Sequence, residues 1–88
     1  MLVRYFAAAR AAAGVDEERH ELGEGATLEE LLDAVLAVVR PAPPSGTPSL
    51  ARIIGRSSFL CNEIAIRDRS VALRSGDVVD VLPPFAGG

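Results

Sequence analysis

The residues whose chemistry stands out are the last two, Gly87 and Gly88, because a carboxylate that follows a glycine pair is unshielded on either side. Neither glycine carries a Cβ, so the pair can enter a channel too narrow for other residues and present its carboxylate at the far end. A carboxylate becomes an acyl donor only when one oxygen is converted into a leaving group, for which adenylation by ATP is the common route. The chain offers no nucleotide site for that step, since Gly23-Glu24-Gly25 lacks the glycine spacing and the lysine of a phosphate loop. No cofactor is therefore expected on this chain, and ATP is expected on an activating partner enzyme. Just upstream, Pro83 and Pro84 fix φ at successive positions and remove two backbone donors, which ends the preceding strand and stiffens Phe85 and Ala86 into an extended arm. From Pro83 to Gly88 that arm could reach ~20 Å. A frayed end is the plain alternative; the double proline ahead of the double glycine favours the arm.

No internal constellation competes with the tail. His20 is the only histidine and lies in a charged stretch, so neither a metal site nor a Ser-His pair has its second member; it reads as solvated. Cys61 sits in an apolar run, where a free cysteine behaves as a small hydrophobe. Glu17-Glu18 and Glu29-Glu30 are adjacent and point different ways, which suits a solvated surface rather than acid-base catalysis. All nine basic residues are arginine, so no side-chain amine exists for an isopeptide or Schiff base, and a ubiquitin-like chain of this composition would be a donor and not an acceptor.

An 88-residue chain makes one domain that buries about 60% of its unfolded surface, which leaves little room for an enclosed active site. With 49% hydrophobic and 24% charged residues it is globular, and a net charge of -3 argues against a nucleic-acid partner. One cysteine excludes an internal disulfide and fits a reducing compartment, and no run is long enough to span a membrane, so a cytoplasmic location is expected.

The elements that must position the tail follow from periodicity. Leu2 to Ala7 reads as a strand with Val3 and Tyr5 on one face and Leu2, Arg4 and Phe6 on the other, Arg4 marking the solvent side. Ala8 to Ala13, closed by Gly14, is one or two helical turns. Asp16 to Leu22 is a charged strand suited to a sheet edge. Thr27 and Glu30 form a capping box, followed by the apolar stripe Leu28, Leu31, Leu32, Val35, Leu36 and Val39, which ends by Arg40-Pro41. A proline-rich loop covers Pro41 to Pro48, whose PxxP reads as linker, and Ser49 to Arg56 is a short helix. Phe59 to Cys61 and Ile64 to Ile66 form a hairpin about Asn62-Glu63. Val78 to Leu82 is the last strand, with Val79 and Val81 in the core and Asp80 in water. The pattern is α+β, one main helix packed across one mixed sheet, with residues 1–82 as the domain and 83–88 as the tail.

The ending Val81-Leu82-Pro83-Pro84-Phe85-Ala86-Gly87-Gly88, the opening Tyr5-Phe6-Ala7 with Ala8, Arg10 and Gly14, and Leu73-Arg74-Ser75-Gly76-Asp77-Val78-Val79 together resemble the MoaD family, the small subunit of molybdopterin synthase. The resemblance covers nearly the whole chain except the Pro41 to Pro48 loop. It implies a ubiquitin-like β-grasp fold with the first and last strands parallel in mid-sheet. It implies that an E1-like adenylyltransferase activates Gly88, that a sulfur donor converts it to a thiocarboxylate, and that the large synthase subunit receives the tail for sulfur transfer to a pterin precursor. Gly88 would carry the chemistry, Gly87 would clear the channel, and Pro83, Pro84, Phe85 and Ala86 would position them. The chain would be a sulfur-carrying subunit without a catalytic site of its own.

With Val3, Tyr5, Ile64, Ile66, Val79 and Val81 assigned to the core, Phe6, Ala65 and Leu82 fall on the outward face and, with Phe85, are expected to form an apolar partner surface near the tail root. Two alternatives stay open: a sulfur carrier for thiamine, cysteine or tRNA thiolation, and a non-covalent ubiquitin-like interaction module.

Overall fold

Alternation of apolar residues along the first and last strands sets the architecture. A computed structural model of the chain describes residues 1–84. Strand β1 (Leu2–Tyr5) lies parallel to β5 (Val78–Leu82), with Val3 opposite Val79 and Tyr5 opposite Val81. All four are buried, at 2% exposure or less. β2 (Glu17–Arg19) pairs antiparallel with β1, and β3 (Ser58–Cys61) pairs antiparallel with both β5 and β4 (Ile64–Ile66). The five-stranded mixed sheet has the order β2-β1-β5-β3-β4, so β5 is central and the charged β2 lies at an edge. This is the ubiquitin-like β-grasp arrangement, with first and last strands parallel in mid-sheet, as the family resemblance implied.

Three helices join these strands. Helix α1 (Ala8–Ala13) ends where Gly14, at φ 81°, takes the left-handed conformation that an L side chain resists. Helix α2 (Leu28–Ala37) begins with the full capping box: the Thr27 hydroxyl accepts from the Glu30 amide at 3.1 Å, and the Glu30 carboxylate accepts from the Thr27 amide at 3.0 Å. Its Leu28, Leu31, Leu32 and Val35 are buried with Val3, Tyr5, Phe59, Val79 and Val81 in a single core. Helix α3 (Leu50–Arg56), capped by Ser49, adds Leu50, Ile53 and Ile54.

Several expectations give way to tertiary context. The α2 stripe stops at Val35: Leu36 is 42% and Val39 95% exposed, because the helix ends at Ala37, three residues before Arg40, and Val38 is already extended. Phe6 and Ala7 lie outside β1, and Ala7, at φ 51°, turns the chain into α1. Ile64, expected in the core, is 72% exposed, because it pairs with Cys61 next to the hairpin turn on an edge strand with no further strand beside it. Ile66, opposite the buried Phe59, does pack against the core. The hairpin itself stands, with Asn62 and Glu63 at φ 50° and 71°, as a two-residue turn requires. Asp80, expected in water, is 4% exposed.

Candidate functional site

The tail leaves the domain at the end of its central strand. Strand β5 stops at Leu82, which pairs with Ser58; Pro83 is half-buried and Pro84 exposed. The predicted site residues Phe85, Ala86, Gly87 and Gly88 lie outside the described residues. Tyr5 and Val81 are the last parallel partners of β1 and β5, so Phe6 and Leu82 each follow directly on a paired residue, and Phe6 is 41% exposed. Ala65 is exposed but lies one row away, paired with Leu60, which in turn pairs with Asp80. Leu60 is half-buried, and the alternation Phe59, Leu60, Cys61 already marks it as outward-facing.

The row between Phe6–Leu82 and the far end of the sheet is polar at its centre. Across the strands it runs Glu17, Arg4, Asp80, Leu60, Ala65. Arg4 grips Asp80 with both ends of its fork, Nε to Oδ1 at 2.6 Å and Nη2 to Oδ2 at 2.9 Å. The Asp80 hydrogen bond, above all, holds the Arg4 guanidinium above its ordinary pKa. Arg4 thus lies on the outward face as expected, while its partner is sealed beneath it.

A second polar cluster sits under the opposite edge, where sequence reasoning had placed only solvated charges. Glu18 accepts from Arg40 Nη1 at 3.0 Å, from Arg40 Nη2 and from the Tyr5 hydroxyl at 2.6 Å, and His20 Nε2 lies 2.9 Å from the same carboxylate. The His20 side chain is only 11% exposed, that of Arg40 12% and that of Glu18 19%, which corrects the reading of His20 and Glu18 as solvated, whereas Glu17 is exposed as expected. Burial alone would raise the Glu18 pKa, but the donors Arg40, Tyr5 and His20 outweigh it and hold the carboxyl down at about 2. Burial, then the Glu18 hydrogen bond, pushes the Tyr5 hydroxyl well above its ordinary value. The Glu18 carboxyl is pushed down and the Tyr5 hydroxyl and Arg40 guanidinium up, each away from neutrality, which is a structural and not a catalytic signature. Cys61 points the same way, since burial, followed by Asp77, raises its thiol pKa and disfavours the thiolate.

Among the described residues no group of His, Cys, Asp and Glu side chains is arranged to hold a metal ion, and no helix is long and apolar enough to cross a membrane. The surface depressions are open to solvent; one of about 350 Å³ runs along Ser58, Leu60, Ala65 and Arg67 beside the tail root.

A mixed sheet grasped around one main helix, with the first and last strands parallel at its centre, defines a ubiquitin-like β-grasp protein. The chain belongs to the ThiS family, whose model matches residues 3–88. It is 37% identical, over 98% of its length and 95% of the relative's, to a molybdopterin synthase sulfur carrier subunit of Chlamydomonas reinhardtii, which bears out the MoaD resemblance. Among solved structures it is similar to SAMP1 of Haloferax volcanii, with a TM-score of 0.77, 26% identity, and coverage of 100% and 98% of the two chains. It is also similar to a protein described as subunit 1 of a molybdopterin converting factor from Pyrococcus furiosus, with a TM-score of 0.70, 27% identity, and coverage of 96% and 95%. A complex of subunits 1 and 2 of that factor from Helicobacter pylori, at 23% identity and a TM-score of 0.64, shares the fold, with coverage of 99% and 96%.

Proposed function

We propose that this protein is the sulfur carrier of a molybdopterin synthase and that Gly88 is its reactive residue. In the first step an E1-like partner joins the Gly88 carboxylate to the AMP moiety of ATP, releasing pyrophosphate. A sulfur donor then displaces AMP and leaves a C-terminal thiocarboxylate, which stays ionised at neutral pH and is a good sulfur nucleophile. In the large synthase subunit the thiocarboxylate sulfur attacks an electrophilic carbon of the pterin precursor and displaces the oxygen substituent there, and water then cleaves the resulting thioester at the Gly88 carbonyl, restoring the carboxylate and leaving the sulfur on the product. Gly87 lets the tail pass a narrow channel, Pro83 to Ala86 hold it extended, and Phe6, Leu82 and Ala65 face the partner.

The observation that carries this reading is the 37% identity to a sulfur carrier subunit across 98% of the chain, within a family match that runs to Gly88. The converting-factor neighbours and the tail's exit from a central strand support it. Intact-mass analysis tests it: incubation with ATP, an activating enzyme and a sulfur source should replace one oxygen by one sulfur, and adding large subunit and pterin precursor should reverse the change. A chain that no activating enzyme modifies would sink the proposal.

The similarity to a small archaeal modifier protein favours one second reading, in which the activated Gly88 is passed to an amine of another protein. Having no lysine, the chain would serve only as donor. Amide-linked adducts formed in the same incubation without a sulfur source would select this reading.

A further inference from the structure

Asp80 lies on the face of the sheet opposite the helices, yet it is 4% exposed, and among the described residues its carboxylate is held by Arg4 alone. A carboxylate buried beneath a partly exposed guanidinium adds little net stability over an apolar pair of similar volume, so folding alone does not call for it. Its surroundings would accept an apolar pair, since Leu60 and Ala65 continue the same row and Leu2, Phe6 and Leu82 belong to the flanking rows. Of the five N–H donors of a guanidinium, Nε and one on Nη2 are directed at Asp80, and Nη1 has no partner among the described residues. The Arg4 side chain is 36% exposed and borders an open depression of about 270 Å³ with Asn62, Glu63 and Val78. Glu63 in that depression and Glu17 beside Arg4 in the sheet make no ion pair among the described residues. A carboxylate brought to Arg4 would meet both, and a cation would meet the guanidinium itself.

We propose that the Arg4–Asp80 pair is a recognition device for the enzyme that receives the tail: that enzyme's docking surface is apolar and sets an uncharged acceptor, a carbonyl oxygen, on the open edge of the Arg4 guanidinium. Phe6 and Leu82, at the root of the tail, lie in the row next to Arg4–Asp80, so a partner that holds the tail covers both rows. The proposal rests on the sulfur-carrier reading and adds to it the chemistry of the contact. Charge on this face serves discrimination: a partner without an acceptor at that point leaves a desolvated guanidinium edge unpaired, which is costly.

Two double variants test it, Arg4→Met with Asp80→Leu, and the exchange Arg4→Asp with Asp80→Arg. The first removes the charges; the second keeps the pair but moves the guanidinium by one strand, about 4.8 Å. Each is titrated calorimetrically onto the large subunit at low and high salt, alongside thermal unfolding. Both should unfold near the wild-type temperature and bind about tenfold more weakly or worse, with the same loss at both salt concentrations. Wild-type affinity in either variant, or a loss that shrinks with salt, overturns the inference. If a double variant fails to fold, Arg4→Lys keeps the charge but loses the planar fork; it should still bind severalfold more weakly, and undiminished affinity counts against the proposal. A wild-type chain that is thiocarboxylated but binds no large subunit removes the synthase reading and this inference together, whereas equal binding by wild type and variants removes only the inference.

Discussion

Arg40, the residue before Pro41, folds back 22 positions along the chain to grip Glu18, with Nη1 3.0 Å from Oε2 and Nη2 on Oε1. The same guanidinium donates to the carbonyls of Ala13 at 3.2 Å and Val35 at 3.0 Å, so it also closes the ends of α1 and α2. It lies 5.7 Å from the centre of the Tyr5 ring as well. One side chain thereby ties the edge strand β2 to two helices.

Replacing Glu18 with Gln should therefore destabilise the fold on the order of 2 kcal/mol at neutral pH and change its acid response. The Glu18 carboxyl drops from an ordinary 4.5 to about 2 in the folded chain. Its contribution is complete above about pH 4.5 and is lost as the pH falls through about 2. Urea unfolding followed from pH 6 to about 2 should show wild-type stability falling more steeply across that window than in Glu18→Gln. Parallel curves would show that the pair contributes nothing by this route.

Glu63→Gly should stabilise the protein by about 0.5–1 kcal/mol, because a non-glycine residue at φ 71° carries a steric cost that glycine avoids. Asn62 should be left in place, since its side chain donates to Asp77 at 3.0 Å and accepts from the Val78 amide at 3.0 Å, pinning the turn to β5. A raised unfolding temperature checks this; a lowered one would mean that the Glu63 side chain matters more than its backbone.

Phe6→Asp should leave the unfolding temperature nearly unchanged, because the ring is 41% exposed, yet weaken binding to the large subunit by roughly 10- to 100-fold. Circular dichroism and calorimetry on the same sample separate the two effects. Loss of the fold with no separate binding defect would count against a partner surface here.

Deleting Gly88 should abolish sulfur loading and transfer while leaving stability at the wild-type value, since the core is complete by Val81. A docking module without acyl chemistry would keep most of its function after the deletion, so a transfer assay alongside a binding assay distinguishes the two.

The capping box of α2, the Gly14 stop of α1 and the Asn62-Glu63 turn were legible in the sequence because each depends on residues within a few positions of one another. Strand alternation likewise assigned Val3, Tyr5, Val79 and Val81 to one face. Alternation says which side chains share a face and not what covers it, so Ile64 was placed inside although the edge strand leaves it in solvent. Asp80 shows the reverse, because its burial depends on Arg4, 76 residues away in sequence.

The sequence by itself determined an α+β domain followed by the motif Pro83-Pro84-Phe85-Ala86-Gly87-Gly88, because backbone preferences and sequence motifs are local properties. Only the tertiary structure decided which charges are buried and paired. Solvent access and desolvation are set by segments distant in the chain, and Arg4–Asp80 and Glu18–Arg40 exist only once β1, β5, β2 and the end of α2 have been brought together.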